Sequence, residues 1–152
     1  MNQINVLYVD DEIHNLTSFT ANFRKGFNIL TALSAEIARG ILTSTDIHVL
    51  ITDQRMPGTT GTVLLSEAVK SYPNVSRILL TGYADEEALK EAINIGHIYQ
   101  YVNKPYDRDN LKECIISAHN ICILKREQDA NLKRLQEIEA SLLEALKNKN
   151  IP

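Results

Sequence analysis

The chain has 152 residues, 44% hydrophobic and 23% charged, a balance that fills one domain's core and excludes a second large globular domain. Its formal net charge of −3 excludes attachment to nucleic acid or anionic lipid through overall charge. The start, MNQINVLYVDDE, has neither the basic nor the long apolar segment of a secretory signal, and no apolar run approaches the roughly 20 residues of a membrane span, so a soluble cytoplasmic protein is expected.

Short runs rich in β-branched residues recur, each followed by a stretch with helical spacing, which predicts βαβ units around a parallel sheet. The first strand is expected over 4–9, its nearly continuous apolar run suiting a strand covered on both faces. Leu16, Phe19 and Phe23 then mark one stripe of a helix over about 13–25. A second strand is expected over 27–32. Ser34 is the expected N-cap of a helix running to about Thr43, with Ile37, Ile41 and Leu42 facing inward. The third strand is expected over 47–52, and a helix with Val63, Leu64, Ala68 and Val69 on its apolar positions over 62–71, after the break at Met56-Pro57-Gly58. The fourth strand falls at 75–80. Asp85, Glu86 and Glu87 open the next helix, which Gly96 closes, and the fifth strand covers 98–102.

A last helix is expected from near Asp107 or Asp109, with no Pro or Gly before Pro152, far longer than an ordinary helix of ~10–14 residues. The chain is therefore divided at about Ala118, into a domain of residues 1–118 and a helical extension of 119–152. In the extension Ile121, Leu124, Gln128, Asn131, Leu135, Ile138, then Leu142 and Ala145 alternate spacings of three and four, a heptad-like seam. A coiled-coil or bundle partner is the preferred expectation; a helix that folds back on its own domain or frays is the alternative. Cys114 and Cys122, roughly 12 Å apart along one helix, cannot form a disulfide and read as packing residues.

In a parallel sheet of this kind the working residues gather at the carboxyl ends of the strands. Asp10 and Asp11 follow the first strand, Asp53 the third, Thr81 the fourth and Lys104 the fifth. Taken singly, each is an ordinary turn, cap or surface residue; jointly they describe a site. Crowded carboxylates either protonate or enclose a cation, and a hard all-oxygen set suits Mg²⁺. With an ammonium, a hydroxyl and a nucleophilic carboxylate added, the set can hold and accept a phosphoryl group.

The segments VLYVDDE, ITDQRMPG, ILLTGYAD and YVNKP carry a resemblance. In order and separation they are similar to the four signature motifs of the receiver domain of two-component response regulators, over about residues 3–118. The resemblance implies an α/β, flavodoxin-like five-stranded parallel sheet of order 2-1-3-4-5 flanked by helices. It implies Asp53 as phosphoacceptor from the phosphohistidine of a sensor histidine kinase or phosphotransfer protein. It further implies Mg²⁺ held by Asp11, Asp53 and the backbone carbonyl of Arg55, with Asp10 acting through water and charge. Thr81 and Lys104 would bind the phosphoryl oxygens, Thr81 and Tyr101 would form the switch, and the bond before Pro105 would be cis. Arg55 and Gly82 would tune the lifetime of the phosphorylated form and access to the site. QRMPG and LTGYAD are similar to receivers joined to phosphodiesterase, phosphatase or hydrogenase-type transcriptional outputs.

The expected function is a phosphorylation-controlled switch that catalyses only its own phosphotransfer and dephosphorylation. The extension would form a homodimer or link to an output domain, with no nucleic-acid or membrane contact from this chain. Two alternatives stand beside it: a phosphorylation-independent interaction or dimerisation module, and an aspartyl-phosphate enzyme, against which ITDQR lacks the DxD nucleophile motif of haloacid dehalogenase-type enzymes.

Overall fold

The computed structural model describes residues 3–82, 86–94 and 98–149. Five strands alternate with five helices: β1 (Asn5–Val9), α1 (Ile13–Phe23), β2 (Asn28–Ala32), α2 (Ala35–Ser44), β3 (Val49–Asp53), α3 (Gly61–Ser71), β4 (Ser76–Thr81), α4 (Glu86–Asn94), β5 (Gln100–Asn103) and α5 (Arg108–Lys149). The strands pair in parallel in the order β2-β1-β3-β4-β5, as the resemblance implies. Strand boundaries differ from the sequence expectation by one or two residues, because a strand begins where its neighbour offers ladder partners and not where apolar composition begins. Asp85 and Gly96, the expected ends of α4, lie outside the described residues.

Side-chain alternation sorts the core onto the two faces of the sheet. Val6, Tyr8, Val49, Ile51, Ile78 and Leu80 pack under α1 and α5. Leu7, Val9, Leu50 and Leu79 pack under α2 and α3, with Leu89 of α4 against the same cluster. Phe19 stacks on Tyr8 at 4.3 Å between ring centroids and meets Phe23 at 4.7 Å, fixing α1 over β1.

Ser34 caps α2 as expected, its hydroxyl accepting the Ile37 N–H at 3.2 Å. The inward face of α2 differs from expectation. Ala35, Ala38 and Leu42 are buried, whereas Ile37 is 48% exposed. With the helix start fixed at Ser34, positions 35, 38 and 42 share one stripe at spacings of three and four; Ile37 points away, and the small alanines face the sheet. Val63 of α3 is likewise exposed while Leu65 is buried.

Asp107 caps α5, its carboxylate accepting the Asn110 N–H at 2.9 Å. The helix runs unbroken for 42 residues, through Ala118. Cys114 and Cys122 are buried free thiols. Contacts with the body continue past them: Arg126 donates to both carboxylate oxygens of Asp46 at 3.1 and 2.7 Å, and Asn74 donates to Asp129 at 2.6 Å. Residues 130–149 are exposed, so beyond Asp129 the helix projects from the body and does not fold back. No helix among the described residues is long and apolar enough to cross a membrane.

Phe19→Ala, which empties the space between Tyr8 and Phe23, lowers stability by about 3–5 kcal/mol in denaturant unfolding, whereas Ile37→Ala on the exposed face of α2 costs under about 1 kcal/mol.

Candidate functional site

Three backbone hydrogen bonds extend the sheet's ladders just past the strand ends. The Asp10 N–H donates to the Ala32 carbonyl at 3.1 Å, the Gln54 N–H to Leu80 at 3.1 Å, and the Lys104 N–H to Thr81 at 2.9 Å. Residues from β1, β3, β4 and β5 are thereby held in a fixed frame at one end of the sheet. Across it, oxygen atoms of Asp10, Asp11 and Asp53 all lie within 4.8 Å of one another.

Each acid has a different environment. Asp10 is fully buried and accepts three hydrogen bonds: the Tyr8 hydroxyl at 2.7 Å, the Glu12 N–H at 2.9 Å and the Asn15 amide at 3.1 Å. Asp11 is exposed. Asp53 is 8% exposed and is paired directly with the Lys104 ammonium, which also stands 3.8 Å from Asp10. Burial pushes the Asp53 carboxyl above its ordinary value and nearby Asp10 adds to this, while Lys104 opposes both. The Tyr8 phenol is pushed up by burial and then by Asp10, so it stays protonated and remains a donor to that carboxylate.

Thr81 is buried at the end of β4, its hydroxyl donating to the Gly82 carbonyl at 3.1 Å. Among the described residues, chain neighbours aside, nothing lies within 4 Å of a Cβ added at Gly82. Arg55 is exposed, and Tyr101 on edge strand β5 is 40% exposed. The Lys104-Pro105 peptide bond is cis. The structure thus brings Asp10, Asp11, Asp53 and Lys104 into one cluster, with Thr81 at the adjoining strand end.

Four residues shape the site without having been read from the sequence. Tyr8 and Asn15 hold Asp10. Gln54 folds the loop after Asp53 back onto α3: its side-chain oxygen accepts the Thr62 N–H at 2.9 Å and its carbonyl accepts the Gly61 N–H at 3.0 Å. This replaces a cap from Thr60, whose side chain makes no capping bond. The loop between them turns at Gly58, whose φ of +79° suits glycine. Gly61 lies against the Asp53 backbone so closely that an added Cβ would collide with the Asp53 carbonyl oxygen. For Tyr8 the available signal was its position two residues before Asp10, on the same face of β1.

The donor set fits a divalent cation. Its ligands are all hard oxygens, and as many as three carboxylate charges face one ammonium, leaving negative charge for a hard cation to neutralise.

A family model described as the response regulator receiver domain matches residues 6–116. The chain is 37% identical over 116 residues to the hydrogenase transcriptional regulatory protein HoxA of Cupriavidus necator, covering 76% of this chain and 24% of that protein. It is 32% identical over 130 residues to the putative response regulator NtrX-like of Rickettsia conorii, covering 84% and 27%. The chain therefore spans about a quarter of the length of these curated relatives. Among solved structures, a response regulator receiver domain protein from Clostridium thermocellum superposes with a TM-score of 0.76 at 31% identity, covering 80% of this chain and 98% of that one.

Because the folded state raises the Asp53 pKa, ionised Asp53 costs stability: the penalty is absent below the unfolded carboxyl value near ~3.9, grows as pH rises from there and is complete above the folded value. Asp53→Asn is therefore expected to melt above the native chain at pH 7 without added metal, with the difference closing towards pH ~3.9 in thermal scans. Gly61→Ala is expected to lower stability by about 1–3 kcal/mol, read from denaturant midpoints, because the loop after Asp53 must shift to admit the methyl group.

Proposed function

Since this chain belongs to the response regulator receiver domain family, in which phosphorylation by a histidine kinase is the general role, we propose that it is a phosphorylation-controlled switch with Asp53 as the acceptor. The observation that carries this reading is the pairing of the nearly buried Asp53 carboxylate with Lys104 inside the cluster formed with Asp10 and Asp11.

In this reading Asp11, Asp53 and the backbone carbonyl of Arg55 hold Mg²⁺, with Asp10 acting through water and charge. When bound, the metal supplies neutralisation of phosphoryl charge. An Asp53 carboxylate oxygen attacks phosphorus of the donor's phosphohistidine; the N–P bond breaks and the imidazole leaves with the bonding pair. The Lys104 ammonium and the Thr81 hydroxyl bind two oxygens of the transferred group. Lys104 has to exchange its contact with the Asp53 carboxylate for one with the phosphoryl group, and its partly exposed position on the β5–α5 connection gives it room to do so.

The added charge would draw Thr81 towards Asp53, and Tyr101 would turn from its exposed position to follow. This changes the face made by α4, β5 and α5, a population shift driven by a local charge. Arg55 and Gly82 flank the site and would set how long the phosphoryl group survives. Turnover is confined to the chain's own phosphotransfer and dephosphorylation.

Residues 1–118 would form the receiver and 119–152 an extension serving self-association or a link to an output segment. Because α5 is continuous across that point, a displacement of its first half passes into the second without a joint. We place the chain in the cytoplasm and assign it no nucleic-acid or membrane contact, its net charge of −3 favouring neither.

The test is incubation with acetyl phosphate and Mg²⁺, read by intact-mass spectrometry. The native chain gains one phosphoryl group, chelation of the metal prevents the gain, and Lys104→Met slows it about 10²-fold. An Asp53→Asn variant labelled as fast as the native chain would overturn the assignment.

A further inference from the structure

Helix α5 presents two apolar stripes on nearly opposite sides. Leu111, Ile115, Ala118 and Cys122 are buried at spacings of four, three and four. Arg126 and Asp129 prolong that stripe and reach back to Asp46 and Asn74, at the end of the sheet away from Asp53. At 100° per residue, a second stripe through Leu124, Leu135, Ile138 and Leu142 lies roughly 150° around the helix. All four leucine and isoleucine side chains are at least half exposed, and Leu132 and Leu146 widen the stripe on one flank. The body therefore leaves this stripe free.

We propose that the stripe is covered by a second copy of this chain, its α5 lying parallel and in register. This deepens, and rests on, the reading of the extension as a self-association element; it does not depend on Asp53 being the phosphoacceptor. The seam spans roughly three and a half heptads, with Gln128, Leu135 and Leu142 at a and Leu124, Asn131, Ile138 and Ala145 at d.

Two features select the orientation. In a parallel, in-register pair, Gln128 faces Gln128 of the second copy and Asn131 faces Asn131, so polar groups meet polar groups. An antiparallel pair centred on the same seam sets Asn131 against Leu135 and Gln128 against Ile138, leaving amides opposite apolar side chains. The second feature is charge. Arg134 occupies g and Glu139 the following e, so a parallel pair brings each Arg134 beside the other copy's Glu139, twice by symmetry. The antiparallel pair sets Arg134 beside Arg134 of the second copy, like charge against like, and makes neither contact.

The full chain is examined by sedimentation equilibrium, bare and with Mg²⁺ and beryllofluoride. A mass of two chains in either condition supports the proposal; one chain in both, or more than two, overturns the self-association reading and the proposal with it. Orientation is read separately by oxidative cross-linking. Leu142→Cys alone is expected to form disulfide-linked dimers, with the native chain and its buried thiols as control. Cross-linking confined to a mixture of Leu142→Cys with Leu124→Cys shows the antiparallel pair and overturns the orientation while leaving the dimer intact. Arg134→Glu is expected to weaken dimerisation about tenfold and Arg134→Glu combined with Glu139→Arg to restore it; no difference among the three overturns the parallel register.

Discussion

The pairing of Lys104 with Asp53 is the interaction on which the site depends. Two almost buried carboxylates, Asp10 and Asp53, stand beside each other at the end of a parallel sheet, where like charges repel strongly because little water screens them. One ammonium spans both, and three donors from Tyr8, Glu12 and Asn15 hold Asp10. Burial, with the Asp10 charge adding to it, displaces the Asp53 carboxyl upward against the pull of Lys104. The two acids thus differ in their surroundings: Asp10 is held by three hydrogen bonds, and Asp53 by its pairing with Lys104.

Precision in this arrangement comes from the sheet. The ladder bonds at Asp10, Gln54 and Lys104 make each working residue a continuation of a strand, so their spacing is inherited from strand spacing. The α3 side adds a second restraint, since Gln54 binds the start of that helix through both backbone and side chain, and Gly61 rests on the Asp53 carbonyl. Only glycine permits that approach. The backbone at Asp53 is gripped from the sheet on one side and from a helix on the other.

The strand ends were legible in the sequence because chemistry-bearing residues stop short apolar runs at the same relative place each time, and the predicted parallel order brings those places together. Asp10, Asp11, Asp53, Thr81 and Lys104 could all be read that way. The donors to Asp10, the Gln54 staple and the bonds from Arg126 to Asp46 could not, because they join residues through folding geometry and not through pattern, the last across 80 positions of sequence. The inward face of α2 was misread at Ile37 for a related reason: hydropathy favoured the larger side chain, whereas the phase set by the Ser34 cap buried the alanines. In the extension, spacing identified Leu124, Leu135, Ile138 and Leu142 but passed over Leu132 and Leu146, which lie off the strict seam.

Strand β3 carries Asp53 at one end, and the connection leading into its other end holds Asp46, to which α5 is fastened through Arg126. Every residue of this strand is buried and it is hydrogen-bonded on both edges, by β1 and β4. It spans roughly 17 Å from end to end. The shaft of α5 is thereby fastened beside the foot of the same strand that carries Asp53 at its tip, so the projecting helix and the acidic cluster are joined through one buried strand.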